Sequence, residues 1–385
     1  MSKTGIKVGL VSLFIIILVF QLFLAGKANQ NSVSPEESKP VSQNDETNQF
    51  YKDIYTPEYF AANAKSIPLA ARILGESPDG ELFILTGNDE PSVQPGLHRI
   101  NPETGKVQLI AAASDPNLEI YDAVYGDKWL VWVESSPNLA RDDWTIWAKN
   151  LNNGAVITVA SNEVTFEQVK TCTITLLGPL LYNSPLSKGI LVWSAFGKVN
   201  NQIVTYIEKC DLNTGQRERL DYNPNVYLGK YDCPSIDYPY IVYTWYVIQP
   251  EEANTFGNVM LFDLRTGEKR KIGDGVRSGS AKVYYPYVVW SQEKEIILYD
   301  IRTRKSRAVV KDCDEIWGPM LNDHAFTWMV SSPSLNIYLL PSGPQTVVVE
   351  NTYSYGLIRD LIYWHPKSEE HITYYVQLPK PVEHS

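Results

Sequence analysis

The sequence predicts an all-β protein: a seven-bladed β-propeller of four-stranded antiparallel blades, preceded by an N-terminal transmembrane helix. Three observations carry that expectation. The 24 Tyr, 10 Trp and 11 Phe, with 24 Pro and 23 Gly among 385 residues, favour strands joined by many turns over helices. A weak repeat recurs seven times between residues 79 and 364, and the chain opens on a long uncharged apolar run.

The repeat is plainest in two stretches, DYPYIVYTWYVIQPEEANTFGNVMLFDLRTGEKRKI (237–272) and VYYPYVVWSQEKEIILYDIRTRKSR (283–307), the second a shorter version of the first. Each copy starts with a short turn and an apolar strand that ends in a large residue: Leu85, Trp132, Trp193, Tyr243, Trp290, Trp328 and Trp364. These positions sit within apolar strands, so they are expected to pack between blades rather than to form a ligand-stacking ring. A variable loop leads to a second strand and a tight turn, as in HRINPETGK, EKCDLNTGQ, LFDLRTGEK and LYDIRTRKS. Gly105, Gly154, Gly215, Gly267 and Gly343 suit the positive φ that such a turn requires. A third strand follows (VQLIAA, VITVAS, RERLDY, KRKIGD, SRAVVK, TVVVEN), and an inner strand such as EIYDAVY or EIWGPML precedes. Each unit is then a four-stranded meander of about 46 residues.

Such meanders bury their faces against one another, and stacking them radially into a ring leaves only short edges exposed. The seventh unit stops after HITYYVQLPK (371–380) without an outer strand, whereas SIPLAARI (66–73) precedes the first unit with a strand to spare. The N-terminal piece is therefore expected to complete the last blade and latch the ring.

Ser77-Pro78-Asp79-Gly80 before ELFIL, with the later D-L-x-T-G turns, resembles the repeats of TolB-like and WD40-like propellers of bacterial exported proteins. The likeness covers residues 66–385 as an architecture. It implies a binding platform outside the cytoplasm and transfers no functional residue.

Val8 to Gly26 carries no charge, enough apolar length to cross a bilayer core of about 30 Å as a helix. Lys3 and Lys7 precede it, which by the positive-inside rule places the N-terminus in the cytoplasm and the rest outside. The run is longer than a usual signal peptide, so a retained anchor is expected over 1–27, with secretion the alternative if the leader is cleaved at Gly26-Lys27-Ala28. Residues 28–50, rich in Ser, Asn, Gln, Glu and Pro, read as a disordered stalk. The propeller is assigned to 51–385.

A net charge of −10 disfavours nucleic acid as a partner. The densest basic stretch, Arg302 to Arg307, falls at a hairpin turn and is expected to be solvated. Two long loops on the variable rim offer aromatic and charged groups for binding: Arg141, Asp142, Asp143 and Trp144 in one, Trp245 and Tyr246 in the other. The five histidines show no metal spacing along the chain, and neither a G-x-S-x-G elbow nor a Gly-rich phosphate cradle is present, so no catalytic residue, metal or cofactor is expected. Cys172, Cys210, Cys233 and Cys313 are expected to remain thiols. The sequence thus points to an extracytoplasmic binding or scaffolding module for a protein or cell-envelope component. The alternative is a carbohydrate-active enzyme, a lyase or glycosidase, with carboxylates on the variable rim.

Overall fold

The structure, a computed structural model, describes residues 55–379 except 139–140, 170–177, 183, 224–228, 232, 250–253, 277–280, 314–315, 331–333, 342, 344 and 369–370. The anchor and stalk expected over 1–50, and Cys172, lie outside the described residues. Among the described residues no helix is long and apolar enough to cross a membrane.

A short helix, α1 (Pro57–Asn63), and a strand, β1 (Lys65–Ile67), come first. Blade 1 comprises β2 (Ala71–Glu76), β3 (Leu82–Thr86), β4 (Gly96–Ile100) and β5 (Val107–Ala111); blade 2 comprises β6 (Glu119–Gly126), β7 (Trp129–Ser135), β8 (Thr145–Asn150) and β9 (Val156–Ser161). Blade 3 is β10 (Leu186–Ser187), β11 (Ile190–Val199), β12 (Gln202–Asp211) and β13 (Gln216–Asn223). In blade 4 the inner position is split into β14 (Gly229–Tyr231) and β15 (Ser235–Asp237), both paired with β16 (Tyr240–Gln249), ahead of β17 (Asn254–Asp263) and β18 (Glu268–Val276). Blade 5 is β19 (Lys282–Tyr284), β20 (Tyr287–Gln292), β21 (Glu295–Asp300) and β22 (Lys305–Val310). Blade 6 is β23 (Trp317–Leu321), β24 (Ala325–Met329), β25 (Leu335–Leu339) and β26 (Gln345–Val349). Blade 7 takes β27 (Thr352–Ile358), β28 (Leu361–Pro366) and β29 (Thr373–Gln377) from the C-terminal end and β1 from the N-terminal end.

Every blade is an antiparallel meander, and the ring closes where β1 pairs with β29 in the register Lys65↔Tyr375, Ser66↔Tyr374, Ile67↔Thr373. The latch is shorter than the stretch 66–73 expected for it. Pro68 ends β1, because a proline cannot donate to a ladder, and from Ala71 the chain already forms the inner strand of blade 1. The buried Thr373 hydroxyl ties the two ends together, donating to Leu69 O at 2.7 Å and accepting from Ala71 N at 3.0 Å. Outside it, α1 begins at Thr56, whose hydroxyl caps Tyr59 N at 3.2 Å, with Pro57 at the first turn where its missing N–H costs nothing. Phe60 and Tyr55 from this segment pack into the core between blades 6 and 7.

Among the described residues seven apolar clusters, one per pair of neighbouring blades, form the core, and a small eighth gathers Val164, Val169 and Phe196. The seven repeat positions Leu85, Trp132, Trp193, Tyr243, Trp290, Trp328 and Trp364 are all buried in them. Strands packed on both faces read as continuous apolar runs, as in β3 and β7, whose residues are all buried. The outermost strands expose a face and an edge and are polar, as in QRERLDYN of β13, where charged groups discourage edge pairing with other chains.

The turn between the third and outer strands shows why Asp or Asn and then Thr-Gly recur. Asn101, Asp211, Asp263 and Asp300 each accept a backbone N–H two residues on through Oδ1, at 2.8–3.0 Å. Gly105, Gly154, Gly215 and Gly267 then take φ of 68–75° and donate back to the residue four earlier at 2.7–2.9 Å. Gly343, whose neighbours are outside the described residues, closes the same bond to Leu339 O at 2.8 Å. In blade 5 the residue in this place is Arg304, at φ 58°, bonding Asp300 O at 2.8 Å. A side chain in the left-handed region costs about 1 kcal/mol, so Arg304→Gly is expected to stabilise the domain. Chemical denaturation of the variant checks this, and a loss of stability would contradict the strain.

Candidate functional site

Among the described residues, those expected on the variable rim are not brought together in one place. Trp144, immediately before β8, is 1 % exposed and packs in the core between blades 2 and 3, which corrects its assignment to a binding loop. The loop Asp143 is held by its own turn, its carboxylate accepting from the Ser135 hydroxyl at 2.5 Å and Ser136 N at 3.0 Å. Burial opposes its ionisation, but these hydrogen bonds outweigh it and hold the carboxyl below its ordinary range. Arg141 pairs with Glu119 at 2.5 Å and lies 4.0 Å from the centre of the Tyr121 ring, so it bridges to the inner strand of blade 2. Asp142 is half-buried. Trp245, on β16, packs against the cluster between blades 3 and 4. The Tyr246 side chain lies outside what is described.

Deeper in the ring, the inner strands of blades 1 and 2 hold an ion pair that the sequence reading did not single out. Asp122 is buried; its Oδ1 meets the Arg72 guanidinium and accepts from Ala123 N at 2.8 Å, while Oδ2 accepts from Leu181 N at 2.5 Å. Arg72 also donates to Ala123 O. Burial works against the charge of this arginine, but the Asp122 carboxylate outweighs it and raises the guanidinium above its ordinary value. The pair joins blades 1 and 2 to the chain entering blade 3, so its role is cohesion at the axis.

The geometry does bring functional groups together on the opposite face, at the two stretches where the repeat is plainest. The hairpin turns of blades 4 and 5 flank an open groove of ≈ 190 Å³ lined by Tyr240, Asp263, Arg270, Arg302 and Arg304 among others. Tyr240 stacks on Tyr285 with ring centres 5.5 Å apart and planes 6° from parallel. Arg265 lies over Tyr240 at 5.3 Å and donates to its hydroxyl at 2.8 Å, and Arg302 lies over Tyr287 at 5.8 Å. Each arginine is also clasped by the aspartate that starts its turn, Arg265 by Asp263 at 2.8 Å and Arg302 by Asp300 at 2.9 Å. The Arg265 hydrogen bonds hold the Asp263 carboxyl low. For Asp300 partial burial pulls the other way, and the Arg302 bonds prevail.

Outside the groove, Tyr285 and Tyr238 are exposed at 45 % and 38 %, with Lys188 5.3 Å over the latter ring. The turns 263–271 and 300–307 carry eight Lys and Arg against three acidic residues, so these two turns are positive on a chain of charge −10. The basic stretch 302–307 is exposed at its turn, as expected, and it also borders a Tyr–Arg surface that appears only when neighbouring blades are laid side by side.

Beyond blade 5 the same face carries a group of possible ligands for a metal: Asp323, His324 and Asp360, whose donor atoms lie within 4.8 Å of one another. Chain spacing conceals it because Asp360 comes from the next blade. Cys210, Cys233 and Cys313 carry thiols rather than disulfides, and burial pushes Cys210 up to about 11. Tyr206 and Tyr355 are pushed well above their ordinary range by burial, and each lies among core residues rather than in the groove.

No protein-family model matches the sequence, and no curated protein matches it. Solved structures do. A chain from a study of two prolyl endopeptidases aligns with a TM-score of 0.54 at 11 % identity, over 88 % of this chain and 55 % of its own length. This chain therefore spans about half of that protein. An oligogalacturonate lyase from Vibrio parahaemolyticus gives 0.50 at 10 % identity, over 83 % and 91 %. TolB from Acinetobacter baumannii gives 0.42 at 11 % identity, over 86 % and 84 %. The likeness is one of architecture. The chain is a seven-bladed propeller, and function must be argued from its own surface.

Proposed function

We propose that this protein is a binding platform, anchored in the membrane by residues 1–27 with the propeller outside the cytoplasm, and that its Tyr–Arg face on blades 4 and 5 docks an acidic segment of a partner protein. The observation that carries this reading is Arg304. The turn rule of the other blades asks for glycine there, and an arginine at positive φ lies instead on the lip of the groove. A residue that breaks a local rule at a stability cost marks a place where something other than stability is served. Tyr and Arg are the side chains that supply most binding energy at protein interfaces, and stacking fixes both in place before a partner arrives. The anchor rests on the uncharged run Val8–Gly26 behind Lys3 and Lys7.

The test is a titration of the full chain in detergent with a fluorescent twelve-residue peptide alternating Glu with Leu and Tyr. Saturable binding that weakens as salt rises is expected, with Arg302→Glu/Arg304→Glu lowering affinity about tenfold or more and Asp142→Asn on the opposite rim leaving it unchanged. Equal affinity in the charge-reversal variant, or loss in Asp142→Asn, would move the site to the rim. The orientation has its own check: protease added to sealed, wall-stripped cells should release the propeller by cutting between residues 28 and 50, and full protection would refute it.

A further inference from the structure

We propose that Asp323, His324 and Asp360 bind a divalent first-row transition ion at the junction of blades 6 and 7. The turns joining inner and second strands fall in equivalent places in consecutive blades, which sets Asp323-His324 of blade 6 beside Asp360 of blade 7. His324 aims its ring into this corner: Nδ1 is 2.5 Å from Asp323 Oδ1 and 3.9 Å from Asp360 Oδ1. An ion about 2.0–2.2 Å from each donor holds donors roughly 3–4 Å apart; the Nδ1–Asp360 separation already fits, the Nδ1–Asp323 pair must open, and the set, within 4.8 Å overall, must draw in slightly. The His324 side chain is 8 % exposed, and its Nε2 has no hydrogen-bond partner among the described residues. Two acceptors as close as Nδ1 and Asp323 Oδ1 repel unless a proton or a cation lies between them; a cation there takes the Nδ1 lone pair and neutralises both carboxylates, with Nε2 carrying the proton of the ring.

The corner is also rigid. Buried Asn322 accepts from His324 N at 3.1 Å and Ala325 N at 2.7 Å, and its amide donates to Arg359 O at 2.6 Å, bolting one turn to the other. Leu340 N donates to His324 O at 2.8 Å and Leu378 N to Asp360 O at 2.5 Å, fixing each turn to its own blade. Supports of this kind hold ligands in place before the ion arrives. The local field is negative: after burial, Asp323, Asp237 and Asp360 all push the Tyr284 phenol upward, with Arg359 as the opposing charge. One imidazole with two carboxylates suits Zn²⁺, Co²⁺ or Mn²⁺ and leaves coordination positions open; it lacks the soft sulfur that would select Cu⁺.

The experiment titrates Co²⁺ into the full chain in detergent, following the visible absorption of the bound ion, with the melting temperature in Zn²⁺ as a second reading. One equivalent of Co²⁺ is expected without the intense near-ultraviolet band of a thiolate ligand, and Zn²⁺ should raise the melting temperature. Asp360→Asn and His324→Ala should each weaken Co²⁺ at least about tenfold. Should His324→Ala fail to fold, Asp323→Asn, at a side chain 55 % exposed, carries the test in its place. Absence of Co²⁺ binding at millimolar concentration, or binding that survives these substitutions, overturns the site.

Discussion

Removing residues 55–67 should cost the domain most of its stability. The deletion takes away the outer strand of blade 7 and with it Tyr55, Phe60 and Ile67, which are 2 %, 1 % and 1 % exposed. Loss of a buried aromatic costs about 3–5 kcal/mol and of a buried isoleucine about 2–5, against a total of about 5–15 kcal/mol for an ordinary domain. The edge of β29 is left open as well, so aggregation should accompany the loss. The cut must stop at Ile67, because from Ala71 onward the chain is the inner strand of blade 1. Deleting 28–45 instead should leave melting unchanged, since that stretch offers few apolar side chains to bury. Equal melting of the two truncations would mean that β1 does not latch the ring.

The second large effect is expected at the axis. Asp122→Ala strands the Arg72 guanidinium and the N–H groups of Ala123 and Leu181, and breaking a buried pair from one side costs about 3–5 kcal/mol. The double change Arg72→Met/Asp122→Leu should cost less than Asp122→Ala alone, because no charge is left buried. Urea unfolding of the three proteins decides it. A double variant less stable than Asp122→Ala would show that the pair contributes through shape and packing instead of charge.

What the sequence made legible was whatever repeats. The seven large residues ending the second strands, the Asn or Asp that opens the turns of blades 1 to 5 and four of the turn glycines all stand where local pattern put them, because blade packing and turn geometry impose the same demands blade after blade. Register was harder. The latch was expected over 66–73, yet the strand is 65–67, since Pro68 separates it from the next strand. Trp144 was read as a loop residue because it follows Asp142-Asp143; its alternation with Ile146 and Ala148, all buried, is the signal that places it on the inward face of β8. The Tyr–Arg face and the Asp323–His324–Asp360 corner could not be seen along one stretch of chain. Both arise between blades, and superposing equivalent turns of neighbouring repeats is the reading that would have revealed them.

Arg304→Gly tests most directly the claim that the face of blades 4 and 5 is kept for binding at the expense of stability. The variant removes one cation from the groove and relieves a positive φ without touching the core. The prediction is a pair of opposite changes measured on the same protein: a melting temperature higher by about 1–2 °C and an affinity for the acidic peptide lower by about fivefold, the worth of roughly 1 kcal/mol. A variant that melts higher and binds the peptide as tightly as the wild-type chain would contradict the account, and so would one that melts lower.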